Sequence, residues 1–191
     1  MNKDYFKREI KNSLEILKGG KVILYPTDTV WGLGCDATDA ETVKKIFKIK
    51  QRDESKSLVI LVDSIKMLQH CIPSIPNQVY EVLRTSSKPT SIIYNNPIGL
   101  ANNVIASDNT VAIRIVQHEF CQKLIKQFGK PIVSTSANIS GMPTPTSFKE
   151  INKSILDAVD YVVNLQQNSV ADSPSRILKI TDSGELQVIR D

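Results

Sequence analysis

Three short segments of this sequence combine residue types that can bind an anionic or polar ligand. The first is the loop from Tyr25 to Asp36, YPTDTVWGLGCD, which is rich in hydroxyl groups and glycine. Thr27 and Thr29 can donate or accept hydrogen bonds, and the glycines allow a ligand to approach the backbone closely. Taken alone, PTDT is equally well explained as a turn that caps a strand. The loop therefore indicates a polar site without selecting a ligand.

The second segment is cationic. Lys50, Arg52 and Lys56 lie at the end of a predicted helix and in the loop that follows it. If they converge, a guanidinium that binds bidentately and two mobile ammonium groups could hold a triphosphate. The alternative is a helix C-terminus whose lysines favour the helix dipole. The sequence has no GxxxxGKS/T motif, and Gly32 and Gly34 do not complete GxGxxG, so any nucleotide must be bound in another way.

The third segment, Ser134 to Gly141 (STSANISG), follows a predicted buried strand. Ser134 and Ser136 can present hydroxyls and backbone N–H groups to an anion, and Asn138 offers two donors and an acceptor, although a simple turn is the alternative. Arg114 is a further candidate, because it lies inside the apolar strand TVAIRIV, where a guanidinium requires an anionic partner. That partner is either a structural acid or a substrate carboxylate, and the sequence does not choose between them.

Hydrophobic periodicity predicts the elements that must position these residues. Helices are predicted over 4–18, 64–70, 77–84 and 119–128, and over a segment that starts at a Thr38–Glu41 capping box and runs to about Lys50; Ser147 with Glu150 forms another capping box. Strands are predicted over 21–25, 58–62, 90–94, 110–116, 131–134, 161–164, 176–180 and 186–190. This alternation predicts an α/β fold with a mixed sheet, and no linker divides residues 1–191 into more than one domain.

Composition excludes several classes of protein. Among 191 residues, 41% are hydrophobic and 23% are charged, which excludes a disordered, collagen-like or coiled-coil chain. The sequence has no apolar run approaching the ~20 residues of a membrane span and no secretory signal, so we expect a cytoplasmic protein without membrane contact. Three cysteines without CxxC spacing, and two isolated histidines, indicate neither a disulfide framework nor a metal site. The net charge of +4 suits a polyanionic ligand without requiring nucleic acid.

Read in order, the motifs resemble those of the YrdC-like threonylcarbamoyl-AMP synthase family: YPTxTxxGLGCD, KxR, a later lysine, AxR and STSANxSG. The resemblance implies a twisted mixed sheet flanked by helices around a deep basic cleft. It also implies that L-threonine, bicarbonate and ATP are joined into threonylcarbamoyl-AMP with release of pyrophosphate. The product would supply a downstream tRNA threonylcarbamoyl transferase. Mg²⁺ is expected on the phosphates, without a dedicated protein cage.

The resemblance also assigns site residues. ATP would be bound by Lys50, Arg52, Lys56, Ser134, Ser136, Asn138 and Arg190. Threonine would be bound by Thr29, Arg114 and Ser175. Lys50 and Arg52 would be the catalytic residues, and we expect both to be exposed cations that face the phosphates.

The chain departs from the family pattern at three places, which leaves the threonine pocket open. Residues 86–89 read Ser-Ser-Lys-Pro where many members have WPGP, Leu61 stands where many have histidine, and Arg176 replaces the threonine of a PST segment.

Two other functions remain as alternatives. A module of the same fold that binds tRNA or double-stranded RNA, without synthase activity, would also suit a basic cleft. Against it, aromatic residues make up only 6% of the chain and no stretch alternates them with basic residues. A carbamoyl-transfer domain of the hydrogenase-maturation type is disfavoured, because such domains lie in longer chains that contain zinc-finger cysteines.

Overall fold

The computed structural model describes residues 3–54, 57–171, 174–181 and 183–191. The helices are α1 (Lys3–Lys18), α2 (Ala40–Lys50), α3 (Ile65–Cys71), α4 (Asn77–Thr85), α5 (Glu119–Phe128) and α6 (Lys153–Ala158). The strands are β1 (Ile23–Tyr25), β2 (Gly32–Gly34), β3 (Val59–Val62), β4 (Thr90–Asn95), β5 (Thr110–Ile115), β6 (Ile132–Ser136), β7 (Tyr161–Val162), β8 (Arg176–Ile180) and β9 (Leu186–Arg190). The 3₁₀ turns are Asn102–Val104 and Phe148–Glu150.

The strands form a sheet in the order β7-β1-β2-β6-β3-β5-β4-β8-β9. The pairs β1–β7, β3–β5 and β4–β8 are parallel, and the other neighbours are antiparallel. The predicted α/β fold with a mixed sheet is therefore confirmed.

Helices cover both faces of this sheet. Successive side chains of a strand point to opposite faces, so a central strand contributes to a buried cluster on each side. In β3, Ile60 and Val62 belong to one buried cluster, which includes apolar residues of α2, α3 and α4. Leu61 belongs to the other cluster, which includes apolar residues of α1 and α5. Such two-sided burial explains why β3 reads as a continuous apolar run.

The first predicted capping box is wrong by one residue. The N-cap of α2 is Asp39, whose Oδ1 accepts hydrogen bonds from the backbone N–H groups of Glu41 at 3.0 Å and Thr42 at 3.3 Å. Thr38 instead donates its hydroxyl hydrogen to Asp36 Oδ1 at 2.6 Å. A carboxylate competes well for the N-cap because it also interacts favourably with the helix dipole.

The second predicted box is also wrong as a helix start. Ser147 makes no capping bond through its side chain and precedes only the 3₁₀ turn. Glu150 accepts a hydrogen bond from Thr146 N at 2.8 Å, and α6 begins later, where Asn152 accepts one from Ser154 N at 2.9 Å.

Gly34 in β2 has no room for a side chain. A Cβ atom there would lie 2.5 Å from Tyr25 Cε1 and 2.9 Å from Val133 O. Tyr25 is fully buried and Val133 O belongs to the sheet backbone, so neither can yield easily. We expect Gly34→Ala to lower the free energy of unfolding by about 1–3 kcal/mol, the usual range for an overpacked core, as measured by urea denaturation.

The matched control for this prediction is Gly19→Ala. A Cβ atom at Gly19 would meet its nearest neighbours at 3.4 Å, without the close approaches found at Gly34. An equal loss of stability in both variants would show that close packing around β2 is not the cause.

Candidate active-site cleft

A cleft with an empty volume of about 800 Å³, including its open mouth, lies at the ends of several strands. Its lining includes seven of the residues predicted from the sequence: Thr29, Arg52, Arg114, Ser134, Ser136, Ser175 and Arg190. Lys50 and Asn138 are not among its lining residues, and Lys56 lies outside the residues that the structure describes.

Antiparallel pairing around β6 brings distant segments to one wall of the cleft. Gly32 of β2 is paired with Ser136, and Val59 of β3 is paired with Ser134. A Cβ atom at Gly32 would lie 3.0 Å from Ser134 Oγ. Glycine at position 32 therefore leaves room for the Ser134 hydroxyl.

Lys50 is buried behind this wall, with 1% of its surface exposed. Its ammonium donates hydrogen bonds to Ser136 O, to Asn138 O at 2.7 Å and to Asn138 Oδ1 at 3.3 Å. The expectation that Lys50 is an exposed cation is therefore wrong. The last residue of α2 instead holds the segment from Ser136 to Asn138 in place.

Asn138 braces the same segment through its side chain. Its Oδ1 accepts a hydrogen bond from Ser136 Oγ at 2.6 Å, and its Nδ2 donates to Met142 O at 2.6 Å. The donors and acceptor that suggested a ligand-binding amide are therefore used within the protein. Asn138 shapes the cleft from behind its surface.

Arg52 lies in the cleft and is half-buried. Its Nη2 donates to Ser57 O at 3.0 Å, while its Nε is buried and has no hydrogen-bond partner within the described residues. Burial lowers the pKa of this guanidinium. A buried donor without a partner is rare in folded proteins, and here it marks a place where an anion would be stabilised.

Arg114 is paired with a carboxylate of the protein itself. Its Nη2 lies 3.0 Å from Asp28 Oδ1, and only 4% and 9% of the two side chains are exposed. The contact is an ion pair without hydrogen-bond geometry, since Asp28 Oδ1 and Arg114 Nε have no hydrogen-bond partner among the described residues. Arg114 Nη2 also donates to Thr29 Oγ1 at 3.3 Å, and Asp28 Oδ2 accepts from Gln117 N at 2.9 Å. Of the two partners that the sequence left open, the structural acid is observed.

Asp28 is the residue of this site that sequence reasoning missed. It lies between two threonines whose hydroxyl oxygens are 3.0 Å apart, Thr27 Oγ1 and Thr29 Oγ1. The available signal was an acid in a loop rich in hydroxyl groups. Its partner, Arg114, lies 86 positions further along the chain. Only the fold brings the two together.

The opposite wall of the cleft is built by the start of β8 and the end of β9. Ser175 is buried, and its hydroxyl lies 3.0 Å from that of Ser91. Arg190 donates from Nε and Nη2 to Ser175 O at 3.1 and 2.6 Å. The sequence departures at Leu61 and Arg176 are absent from the cleft lining, and Leu61 is fully buried.

Acidic residues are scarce around the cleft. No carboxylate is among its lining residues in the described ranges, and these ranges contain no group of three or more His, Cys, Asp and Glu residues that could hold a metal ion. All three cysteines are buried and free. Across the same ranges, no helix combines the length and the apolar character that a membrane crossing requires.

The mixed sheet, with a cleft of hydroxyls and guanidiniums at its strand ends, defines a ligand-binding α/β protein. Residues 15–191 match the Sua5/YciO/YrdC family, described as telomere recombination. The chain belongs to this family, and the resemblance of its motifs is confirmed.

Named relatives agree with this assignment. The chain is 32% identical over 180 residues to threonylcarbamoyl-AMP synthase of Vibrio parahaemolyticus serotype O3:K6, covering 93% of this chain and 95% of the relative. The crystal structure of P. abyssi Sua5 complexed with L-threonine superposes with a TM-score of 0.84 and 26% identity, over 95% of this chain and 53% of that one. This chain thus spans about half the length of P. abyssi Sua5. E. coli YciO, at 22% identity and a TM-score of 0.83, shares the fold over 97% of this chain and 89% of its own.

Proposed function

We propose that the protein is an L-threonylcarbamoyladenylate synthase, which joins L-threonine, bicarbonate and ATP into threonylcarbamoyl-AMP and releases pyrophosphate. The observation that carries this proposal is the gathering of Thr29, Arg52, Ser134 and Arg190 around one cleft. The chain that does so is similar along nearly its whole length to named synthases. In this proposal, the cleft around these residues is the deep basic cleft that the motifs imply.

The structure supports a division of roles in the cleft. In this proposal Arg52, whose Nε has no hydrogen-bond partner among the described residues, faces the ATP phosphates, and the hydroxyls of Ser134 and Ser136 lie on the nucleotide side with Arg190. Lys56 lies outside the described residues, and only the motif pattern assigns it to the phosphates. Thr29, Arg114 and Ser175 lie on the threonine side. Lys50 and Asn138 act on the nucleotide through the backbone that they hold, because their polar hydrogens are already donated within the protein.

The proposed chemistry needs no nucleophilic side chain. The threonine amine combines with bicarbonate to give a carbamate and water. A carbamate oxygen then attacks the α-phosphate, and the bond to the β-phosphate breaks as pyrophosphate leaves. Catalysis of such a transfer between anions is mainly positioning and neutralisation of charge, which arginine and lysine supply.

Mg²⁺ enters this proposal as part of the substrate, carried on the phosphates of ATP. The described lining residues do not fit a protein-held Mg²⁺ site, because Mg²⁺ prefers oxygen ligands and usually one or two carboxylates, and the lining offers hydroxyls and guanidiniums. Its role would be to neutralise phosphate charge.

The cellular setting follows from the proposed product. A mixed anhydride such as threonylcarbamoyl-AMP must be consumed by a transferase that passes the threonylcarbamoyl group to tRNA. We therefore propose that the protein works in the cytoplasm, where ATP, threonine and tRNA are available together. We also propose that residues 1–191 act as one domain, since strands from both halves of the chain share the sheet.

The reaction itself tests the function. We expect pyrophosphate release from ATP to require both L-threonine and bicarbonate, with little release when either is omitted. L-Serine should react about 10–200-fold less well, because it lacks one methyl group of binding energy. RNA should not be needed. Release that is independent of threonine, or no release without RNA from a folded protein that binds ATP, would contradict the synthase and favour an alternative.

The pH dependence of activity reports on Lys50. Burial, followed by the neighbouring charge of Arg52, lowers the pKa of Lys50 from 10.5 to about 8. Above that pH the ammonium loses the charge that holds Ser136 and Asn138, so we expect activity to fall as the pH rises through about 8.

Stability should change in the opposite direction over the same range. The pKa of Lys50 is lower in the folded chain, so the unfolded chain binds more protons between pH 8 and 10.5. Stability rises with pH wherever the unfolded state binds more protons. Activity and urea-denaturation profiles measured from pH 7 to 10 should therefore diverge, and a parallel decline of both would point to general unfolding instead.

A further inference from the structure

A second pocket lies on the reverse face of the sheet from the cleft. It has an empty volume of about 700 Å³, including its open mouth, and its lining comes from the end of α4, the segment before β4, β8 and the residue after β9. Its charged lining residues are Lys88, Arg176 and Asp191. Lys88 and Arg176 belong to two of the three sequence departures, none of which lines the cleft. We call this the reverse-face pocket.

Strand geometry separates this pocket from the cleft. Ser175 and Ile177 line the cleft, while Arg176 between them lines the reverse-face pocket. Arg190 lines the cleft, and Asp191 lines the pocket. Because alternate residues of a strand face opposite sides, a ligand in one site does not occupy the other.

The charges in the pocket are incompletely matched. Arg176 Nε lies 3.3 Å and Lys88 Nζ lies 3.7 Å from the same oxygen, Asp191 Oδ1. Neither contact has hydrogen-bond geometry, and Arg176 Nε is buried without a hydrogen-bond partner within the described residues. One side-chain carboxylate therefore faces two cations.

The nearby helix does not supply the missing negative charge. Glu81 on α4 is paired with Arg84 at 3.2 Å. The side chains that line the pocket therefore carry a net charge of +1, and Arg176 Nε has an ion-pair contact but no hydrogen-bond partner among the described residues.

We propose that the reverse-face pocket binds a phosphate monoester or inorganic phosphate, which takes the place of the Asp191 carboxylate. A monoester carries a charge of about −1.5 to −2 at pH 7 and three acceptor oxygens, so it can neutralise both cations and satisfy Arg176. The planar guanidinium also matches phosphate geometry. A phosphodiester has one negative charge and two free oxygens, so the backbone of RNA fits these two cations less well.

The test is a site-resolved titration of the full chain with inorganic phosphate, monitored by ¹⁵N–¹H amide spectra. We expect saturable shifts of the amides of Ser87, Lys88 and Arg176, in addition to any shifts of cleft amides. The double variant Arg176→Thr with Lys88→Ser should lose the pocket shifts and keep those of the cleft. Lys179→Thr is the matched control, because it removes a cation from the same strand outside the pocket.

Asp191→Asn makes the test two-sided. If the carboxylate occupies the place of a phosphate group, its removal should tighten phosphate binding several-fold at the pocket amides. Methyl phosphate and AMP should reproduce the inorganic phosphate shifts, and dimethyl phosphate should bind more weakly.

Three outcomes would overturn the proposal. They are phosphate shifts confined to the cleft, pocket shifts that persist in the double variant, and stronger pocket binding by dimethyl phosphate or a short RNA hairpin than by methyl phosphate. The variants should remain folded, because ion pairs between partly exposed side chains contribute little to stability.

Discussion

Replacing Lys50 with methionine is expected to reduce both stability and synthase activity. Methionine has a similar length but donates no hydrogen bond, so Ser136 O and both oxygens of Asn138 lose a donor. A buried acceptor left unpaired costs about 1–3 kcal/mol, partly offset because an ammonium no longer has to be desolvated. A loosened wall at Ser136 should lower kcat/KM about 100-fold, the loss that a displacement of about 1 Å can cause.

Arg52→Ala is the informative comparison for this variant. Arg52 donates one identified hydrogen bond within the protein, to Ser57 O, and it lines the cleft. Its loss should therefore reduce activity strongly while changing the free energy of unfolding by only about 1 kcal/mol. Urea denaturation and steady-state rates distinguish the two variants. If Lys50→Met were as stable as the wild type and as active, Lys50 would not be needed to hold Ser136 and Asn138 in place.

The second large effect is expected at the buried pair of Arg114 and Asp28. Asp28→Leu leaves a buried guanidinium without its carboxylate, and Arg114→Leu leaves the reverse, so each should cost about 3–5 kcal/mol of unfolding free energy. The double variant should cost less than either single variant, because no unpaired buried charge remains. Urea denaturation of all four proteins gives the coupling energy directly.

The same variants separate structural support from substrate binding. If Arg114 also contacts threonine, the double variant should fold and show a raised KM for threonine with an unchanged KM for ATP. An unchanged KM for threonine would make Arg114 a purely structural partner of Asp28. If the costs of the two single variants added up to the cost of the double variant, the coupling energy of the ion pair would be zero.

Most elements of the fold could be predicted because their signals are local. The helices α1 and α5 have apolar residues at helical spacing, and β3 is a continuous apolar run, so periodicity alone places them. Strand β2 could not be placed in this way, because Gly-Leu-Gly has neither alternation nor β propensity. It is a strand because β1 and β6 supply partners on both sides, which is a property of the fold.

Motif order predicted which residues share the cleft better than it predicted what each one does. Thr29, Arg52 and Ser134 line one cleft, as the motifs predicted, although Thr29 precedes β2, Arg52 follows α2 and Ser134 belongs to β6. Lys50 was assigned to the surface because a lysine at a helix end is usually exposed, and the sequence does not show which way that residue points. Identifying Asp28 as the acid opposite Arg114 required the tertiary structure for the same reason.

The distance along the chain between the two walls of the cleft has a consequence for biosynthesis. The lining runs from Thr29 in the loop before β2 to Arg190 at the end of β9, and β8 joins the sheet by pairing with β4. Contacts between residues so far apart in sequence form slowly, because the entropy of closing a long loop must be overcome first. During translation, the segment with Arg52 and Ser134 is synthesised well before Ser175, which precedes β8, and Arg190 of β9. A nascent chain can thus possess one wall of the cleft but not a closed site until its last strand has emerged.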